Sequence, residues 1–578
     1  MPQTLTGVLQ ARLDGLKPTE KLALQQASVI GFVFWDQALA ALDARSPLAL
    51  PSLVQRELTV PHRDTALDDA IADVREYAFS HQLLHQVTYD TLLKRQRRAH
   101  HAQAAQWLAS QTGARANDFL GATAEHFVKA GDAAQGCEFF ARAAEHAAGR
   151  YAHQTVISHV ASALALLQRP PNSASNNGPI ADAQAQLRWR LFNVRERTLD
   201  LQGKRAEQLA DIDILQELAD TLDDDRRRCE VAWRRSTLAM RTGDYRTMER
   251  TARQSMALAE RAADALLGLR GQHRLALALA YLGDGQSARA LANQGLASAR
   301  ALGARPIEAL FLNALSVIAD SQVDQLASLE MDLQDLLINR ELGNRRNEAI
   351  ALGNLGNGWL RMGGHAQAQG YLDEGLQLAR AVGDRATEPN TLTNLSVLAL
   401  RRGDDALALL HAQAALDIAM EVQSPVFEAI ALCSLGNAEL ALGRHAPAQT
   451  AFARAQSVAM ELNNATRHDA AAGLARVALA QGDIAAALRT VEGLLPQLAG
   501  DGALESTEAP YLIRLTCYQV LARGNDPRAA QLLGSAYADL LGVAAGIADD
   551  ELRHGFLHNI PEHRAIMAAW AANPVGRF

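Results

Sequence analysis

Apolar positions recur at helical spacing along almost the whole chain, and the helices they predict come in pairs at a fixed interval. Within Glu348 to Met362, Leu352, Leu355, Gly356 and Trp359 share one helical face. Forty residues on stand Leu392, Leu395, Ser396 and Ala399, and forty further Leu432, Leu435, Gly436 and Glu439. Turn signals keep the same step: Gly243-Asp244, Gly283-Asp284, Gly363-Gly364, Gly403-Asp404 and Gly443-Arg444 differ by multiples of 40, and Gly482-Asp483 comes one residue early. One member has lost its glycine, at Val323-Asp324. The helix after each turn carries small residues in series, Ala368, Ala408 and Ala448, then Gly375, Ala415 and Ala455. A single helical hairpin cannot bury its apolar face, whereas stacked hairpins can, and small residues let their axes approach. Glycine supplies a left-handed C-cap and the following Asp suits the next helix start. Seven units are expected, roughly from Arg226 to Ala499.

The flanks read differently. Asn117 to Leu167 predicts further helical hairpins, turning at Gly131-Asp132 and Gly149. The Pro, Ser, Asn and Gly of residues 169–179 predict a linker. Helices resume at Ile180 and run to Thr221, and Asp223-Asp224-Asp225 caps the next. At the N-terminus, Thr4 to Leu16 and Pro18 to Gly31 predict two helices, and Phe34-Trp35-Asp36 opens a third that runs to Leu42. Leu53 to Val60 and Glu76 to Ser80 are short and β-like; His81 to Leu93 and Arg95 to Leu108 are helical. Helices followed by a two-strand ribbon suggest a small winged-helix domain. The expected fold is all-α, a superhelical solenoid of helical hairpins behind a small winged-helix-like domain. Its expected parts are that domain over 1–108, linking hairpins over 109–168, the linker 169–179, repeats over 180–499 and capping helices over 500–578.

Composition narrows the function. Apolar residues make up 48%, charged residues 21% and aromatics 5%, a soluble, helix-favouring mix too long for one compact core. A net charge of −8 over 578 residues gives no nucleic-acid footprint. Cys137, Cys229, Cys433 and Cys517 stand far apart without a CxxC, so buried thiols in a reducing compartment are expected rather than a zinc site or disulfides. No apolar run of about 18 residues suggests a membrane span, and Met1-Pro2-Gln3-Thr4 leads into amphipathic sequence rather than a signal peptide. A cytoplasmic protein is expected, with no cofactor and no metal.

The repeats resemble the tetratricopeptide family. Leu355-Gly356, Trp359 and Ala368, and Leu435-Gly436, Ala448, Phe452 and Ala455, match its short pattern; the departure is a period of 40 rather than 34 residues. The N-terminal stretches Leu9 to Leu39 and Tyr77 to Leu108 resemble the winged-helix domain that closes the ATPase core of STAND-class signalling proteins. Asp549 to Ile566 resembles the tail of the same proteins, in which a class III nucleotide cyclase or a DNA-binding domain shares the chain. The resemblance implies the sensor or regulatory half of such a protein. The family's phosphate-binding GxxxxGK[ST] loop is absent from this sequence, and no cyclase domain is visible. The chain is therefore expected to start inside the family's architecture, as a split gene product or a truncation, and to be no enzyme unless another polypeptide supplies the missing domain.

Candidate residues follow. The family's groove-facing offsets fall on Asn357 and Asn437, with Asn390 and Asn394 in the unit between and Ile350, Val397 and Ile430 beside them. An amide both donates and accepts, so such a ladder can hold an extended peptide backbone; hydrogen bonding between neighbouring helices is the equal alternative. The Lys and Arg that a carboxylate clamp needs are missing at the flanking offsets. His81 stands where the resemblance places a histidine that contacts nucleotide phosphates in a complete ATPase; a first-turn capping or packing histidine is the alternative. The run Lys94-Arg95-Gln96-Arg97-Arg98 with His100 and His101 reads as a solvated helix face, not a nucleic-acid platform. Glu125-His126 and Glu562-His563 lack the spacing of a metal helix. The expected partner is a protein or peptide in the concave groove. Two alternatives are a fragment whose nucleotide site a separately encoded ATPase or cyclase completes, and a transcriptional regulator; no membrane partner is expected, and nucleic acid is not the expected ligand.

Overall fold

The computed structural model describes residues 5–62, 74–111, 116–168, 179–321, 324–498, 504 and 507–572. The expected linker therefore lies outside the described residues except for Pro179, as does Val323 of the irregular turn. Contacts divide the chain into two units, Met1–Thr198 and Leu199–Phe578.

The first unit opens with the helices Leu5–Asp14 and Pro18–Ile30. A three-stranded antiparallel sheet follows, made of β1 (Val33–Trp35), β2 (Thr59–Pro61) and β3 (Glu76–Phe79) in the order β1-β3-β2. The sequence suggested only two strands and placed Phe34 and Trp35 at a helix start. Instead Val33 pairs with Ala78 and Trp35 with Glu76, and the helix begins at Asp36. The β-branched and aromatic run alternates, burying Phe34 while Val33 and Trp35 stay half-buried, which suits a pleated surface. The converse correction falls on Leu53, which sits in a helix, Leu50–Gln55, whose Pro51 occupies its first turn. Leu13, Leu24, Phe34, Leu39, Leu53 and Phe79 form this core. Helices Gln82–Asp90 and Lys94–Ser110 pack on it, and the hairpin helices Leu120–Ala130, Ala133–Gly149 and His153–Leu167 follow. At the first of those turns Gly131 takes a left-handed φ of +94° and Asp132 caps the next helix by accepting from the Gln135 amide.

The second unit explains the 40-residue period. Most helices from Arg205–Thr221 to His445–Glu461 are 17 residues long, and three-residue turns join them. Two such helices with their two turns make one period. Both turns use left-handed backbone: Gly243, Gly283, Gly363, Gly403 and Gly443 in one series, and Asp223, Ala263, Gly303, Gly343, Gly383, Gln423 and Asn463 in the other. The side chains of Asp224, Asp244, Asp264, Asp284, Asp324, Asn344, Asp404 and Asp483 each accept from the backbone amide three residues on. Each cap satisfies an amide that the helix itself cannot, worth about 1 kcal/mol. The 40-residue period is thus set by the length of the helices and the three-residue turns between them.

Packing sets the curvature. The first helix of nearly every hairpin contacts both its own second helix and the first helix of the next hairpin, Arg305–Ser321 and Arg345–Arg361 being the exception, whereas second helices make no comparable contact with one another among the described residues. The array therefore bends with first helices inside. Gly436 and Gly473 show why small residues are needed there: a Cβ on either would overlap the buried ring of Phe452. The bend brings distant turns together, so that Gly203 lies against Val422 and Gly243 against Val426. Arg346 ties the start of the unit to its middle, donating to Asp200 at 2.7 Å and to Asp384 at 2.9 Å. Burial pushes the Asp200 carboxyl up, but Arg346, Arg241 and Arg205 outweigh it and hold the group well below the usual carboxylate range.

One hairpin departs from the rule. In the helix Gln325–Glu341, Asp332, Asp335 and Asn339 are all buried. One period later the same places hold Leu372, Gly375 and Ala379, and a second period later Ala412, Ala415 and Ala419. Asn339 donates to the Asp335 carboxylate at 2.7 Å and to its carbonyl at 3.0 Å. Burial nevertheless pushes the Asp335 carboxyl up to about 8, and that of Asp332 well above its ordinary value. The folded chain then keeps a proton that the unfolded chain releases above about pH 4, so this hairpin loses stability as pH rises from about 4 to about 8. Urea melts at about pH 5.5 and about pH 8 should show wild type losing roughly 1–3 kcal/mol more than Asp335→Ala over that interval. Equal losses in the two proteins would mean that Asp335 is not held protonated.

Candidate functional site

The candidate asparagines all lie on first helices, the helices on the inner side of the bend. Asn390, Asn394, Val397 and Arg401 follow one another at helical spacing along Glu388–Arg401. In the preceding unit Asn357 and Arg361 lie four residues apart on Arg345–Arg361, and in the following unit Asn437 lies on Pro425–Ala441. Asn357, Asn390 and Asn437 are half-buried. Asn394 is 7% exposed, and its amide nitrogen has no hydrogen-bond acceptor. Asn437 accepts a hydrogen bond from Arg476 of the next first helix. The four asparagines thus differ: one is engaged by a neighbouring helix, one presents a buried unused donor, and two are partly open.

The arginines on these helices escaped the sequence reading. Arg361 and Arg401 stand one period apart, so asking which charged residues repeat at 40 would have found them. They are covered by the chain's own C-terminal helices, Pro510–Arg523, Arg528–Ala545, Asp550–His558 and Pro561–Ala572. Arg361 lies 3.2 Å from Asp320 and 3.7 Å from Glu508, and Arg401 lies 3.4 Å from Glu562. Asn559 donates to the Gly363 carbonyl at 3.0 Å, and the Gly555 backbone rests on Gly363, where a side chain would not fit. Met362 joins Tyr511, Leu533, Leu540, Phe556 and Ile566 in one apolar cluster. Asp469 accepts from the Glu508 and Ala509 amides at 3.2 and 3.1 Å. Its carboxyl is pushed up to about 7, by burial first and by Glu508 second. Burial draws the Arg401 and Arg476 guanidinium groups down from their ordinary value, while Arg361 is raised because Asp320, Glu508 and Asp469 outweigh its burial. The result is a partly buried ion cluster on the same helices as Asn357 and Asn394, with Glu508 at its exposed side.

His81 precedes the helix Gln82–Asp90 as its N-cap residue. Its side chain is exposed and makes no capping bond, so it occupies the cap position without capping the helix and is not packed in a core. It is not near the asparagines in sequence or within their unit. The four cysteines are buried free thiols. Among the described residues no cluster of three or more His, Cys, Asp or Glu could hold a metal ion, and no helix is long and apolar enough to cross a membrane.

The ion cluster generates a direct test. Arg401→Met leaves the Glu562 carboxylate half-shielded without its counter-ion, a loss of about 3–5 kcal/mol where such a pair is fully buried and less here. Hydrogen exchange should show the segment 550–572 losing protection while the helices 425–461 keep theirs. Unchanged protection of 550–572 would show that the apolar cluster alone docks the C-terminus.

Residues 347–421, which hold the Asn357–Asn394 part of the groove, match the family model for the tetratricopeptide repeat. No curated protein matches the chain at a significant level. Among solved structures, a Rap protein complexed with competence and sporulation factor is 14% identical, with a TM-score of 0.42 over 60% of this chain and 99% of its own. A signal transduction ATPase with numerous domains (STAND) and a tetratricopeptide repeat sensor, from Pyrococcus horikoshii, is 13% identical, with a TM-score of 0.38 over 86% of this chain and 67% of its own. NprR in complex with its cognate peptide NprX is 12% identical, with a TM-score of 0.39 over 59% of this chain and 99% of its own. At these scores the likenesses decide nothing about the site. Residues 347–421 are thus tetratricopeptide repeats, and regular helical hairpins of the same length continue on either side of them.

Proposed function

We propose that the chain is a repeat scaffold that binds a protein or peptide segment along the inner face of its second unit. The observation that carries the reading is the buried Asn394 amide nitrogen, which lacks an acceptor, as do the buried Nε atoms of Arg361 and Arg476 on the neighbouring first helices. A buried unpaired donor costs about 1–3 kcal/mol, and an extended peptide offers the carbonyl that would satisfy it. Asn357 and Asn390 flank it as half-buried amides able to serve the same backbone, and Asn437 is held in place by Arg476. Three apolar neighbours, Ile350, Val397 and Ile430, give side chains of the ligand something to pack against.

The finer reading is that this scaffold is the sensor or regulatory half of a STAND-type signalling ATPase. It is supported by the phrases Leu9 to Leu39 and Tyr77 to Leu108, and by the helices and the paired strands β1 and β3 to which they contribute. On this reading His81, exposed ahead of its helix, is the residue that would face a nucleotide held by another polypeptide or domain.

The groove reading is tested by replacing Asn357, Asn394 and Asn437 together with Ala. Each lost amide bond to a ligand backbone should weaken binding by about 0.5–1.5 kcal/mol, so partners recovered by the wild-type chain from host lysate should be lost. Helix content should hold, because Ala is the better helix former. Equal recovery of the same partners would remove the groove from the account. A much lower melting temperature of the triple variant would show that the amides serve the fold.

A further inference from the structure

A second feature lies in the first unit and owes nothing to the groove. The helix Lys94–Ser110 begins with Lys94, Arg95, Arg97 and Arg98 among its first five residues and has no acid in its first turn. That is the reverse of the usual arrangement, because the helix dipole places positive charge at this end and favours acids there. Lys129, from the neighbouring helix Leu120–Ala130, faces the same space. Together with Tyr89 and His101 these five cations line a cavity of about 480 Å3.

The charge there is poorly compensated. Arg97 lies 3.4 Å from Asp90 and Lys129 lies 3.7 Å from Glu125. Lys94, Arg95 and Arg98 have no carboxylate within ion-pair distance among the described residues. His101 adds a wall but no charge: its ring bonds to Tyr89 and to His126, each at 2.9 Å, and burial with neighbouring cations draws it down to about 3. Like charges converging on one hollow repel one another, and a surface that only needed solubility would spread them. The hollow needs an anion to be at its most stable.

The lining also says which anion. The cavity has the size of a small-molecule site and is too small for a duplex. Its one accessible aromatic, Tyr89, has a ring face covered by the Arg97 guanidinium at 4.4 Å, so that face is not open for stacking a base. Guanidinium and ammonium groups match phosphate oxygens, Arg by paired bonds and Lys as a point charge. We propose that this cavity is a binding site for a compact oligophosphate, held by Lys94, Arg95, Arg98 and Lys129 through its phosphate oxygens. Recognition is by side chains, without a glycine-rich loop and without any reacting group, so binding and not hydrolysis is the expected activity.

The test titrates the full chain calorimetrically with inorganic triphosphate, beside orthophosphate, citrate and a single-stranded oligonucleotide. The variant is Lys94→Gln with Arg98→Gln; the control is Lys204→Gln with Arg226→Gln, which removes the same charge from the second unit. Saturable one-to-one binding of triphosphate is expected, weakened about tenfold for each cavity cation removed and unchanged in the control. Without ligand the cavity variant should melt no lower than wild type, because it relieves like-charge repulsion at a helix start. Triphosphate should raise the melting temperature of wild type and control but not of the cavity variant. Absence of saturable binding, equal weakening in both variants, or citrate binding as tightly as triphosphate overturns the proposal. An oligonucleotide that binds more tightly than triphosphate overturns it in favour of a nucleic-acid backbone.

Discussion

Every larger feature of the second unit depends on how closely first helices can lie against one another and against their partners. Where a Cβ would strike a neighbour the sequence places glycine, as at Gly436 and Gly473 beside Phe452. Where only a methyl fits it places alanine, as at Ala368, Ala408 and Ala448, all fully buried. Because the tight contacts run between first helices and not between second helices, the array bends, and the bend creates the inner face. Close packing of this kind transmits small changes in volume, since interiors have few voids to absorb them. The caps and left-handed turns keep the register on which the contacts rely, because one residue more or less per helix would rotate each small position away from its neighbour.

Against that background the two polar intrusions stand out. Asp332, Asp335 and Asn339 occupy places that are small or apolar in the neighbouring hairpins, and they belong to the helix Gln325–Glu341. A buried polar layer is weaker than the alanine layer it replaces unless its protons are retained. The second intrusion, Arg361 and Arg401 with Glu508 and Glu562, joins the C-terminal helices to the inner face. A ligand lying along Asn357, Asn390 and Asn394 would meet that junction at one end. The same chain therefore supplies both the groove and the helices that border it.

Much of this was legible in the sequence, and the exceptions have physical causes. The period, the paired helices and their capping residues could be read because each is a local signal repeated many times. The strand Val33–Trp35 could not, since three residues between two helices fit either state and only pairing with β3 decides. Leu50–Gln55 was obscured for the same reason, being too short for helical periodicity to register. At the site, the placement of the asparagines on first helices followed from the repeat, but the orphaned nitrogen of Asn394 and the bond from Arg476 to Asn437 depend on distances between helices. The covering of Arg361 and Arg401 joins residues more than a hundred positions apart, as with Arg401 and Glu562, and no spacing rule announces such a contact. The basic run at Lys94 read as a solvated face because Lys129, on another helix, is what turns it into a cavity.

The central claim is that curvature makes the first helices the recognition surface. Hydrogen exchange of the chain with and without a recovered partner tests it most directly. The account predicts added protection on Arg345–Arg361, Glu388–Arg401 and Pro425–Ala441, with little change on the second helices His365–Ala381 and Asp405–Glu421. Protection concentrated on those second helices, or confined to residues 1–198, would contradict it.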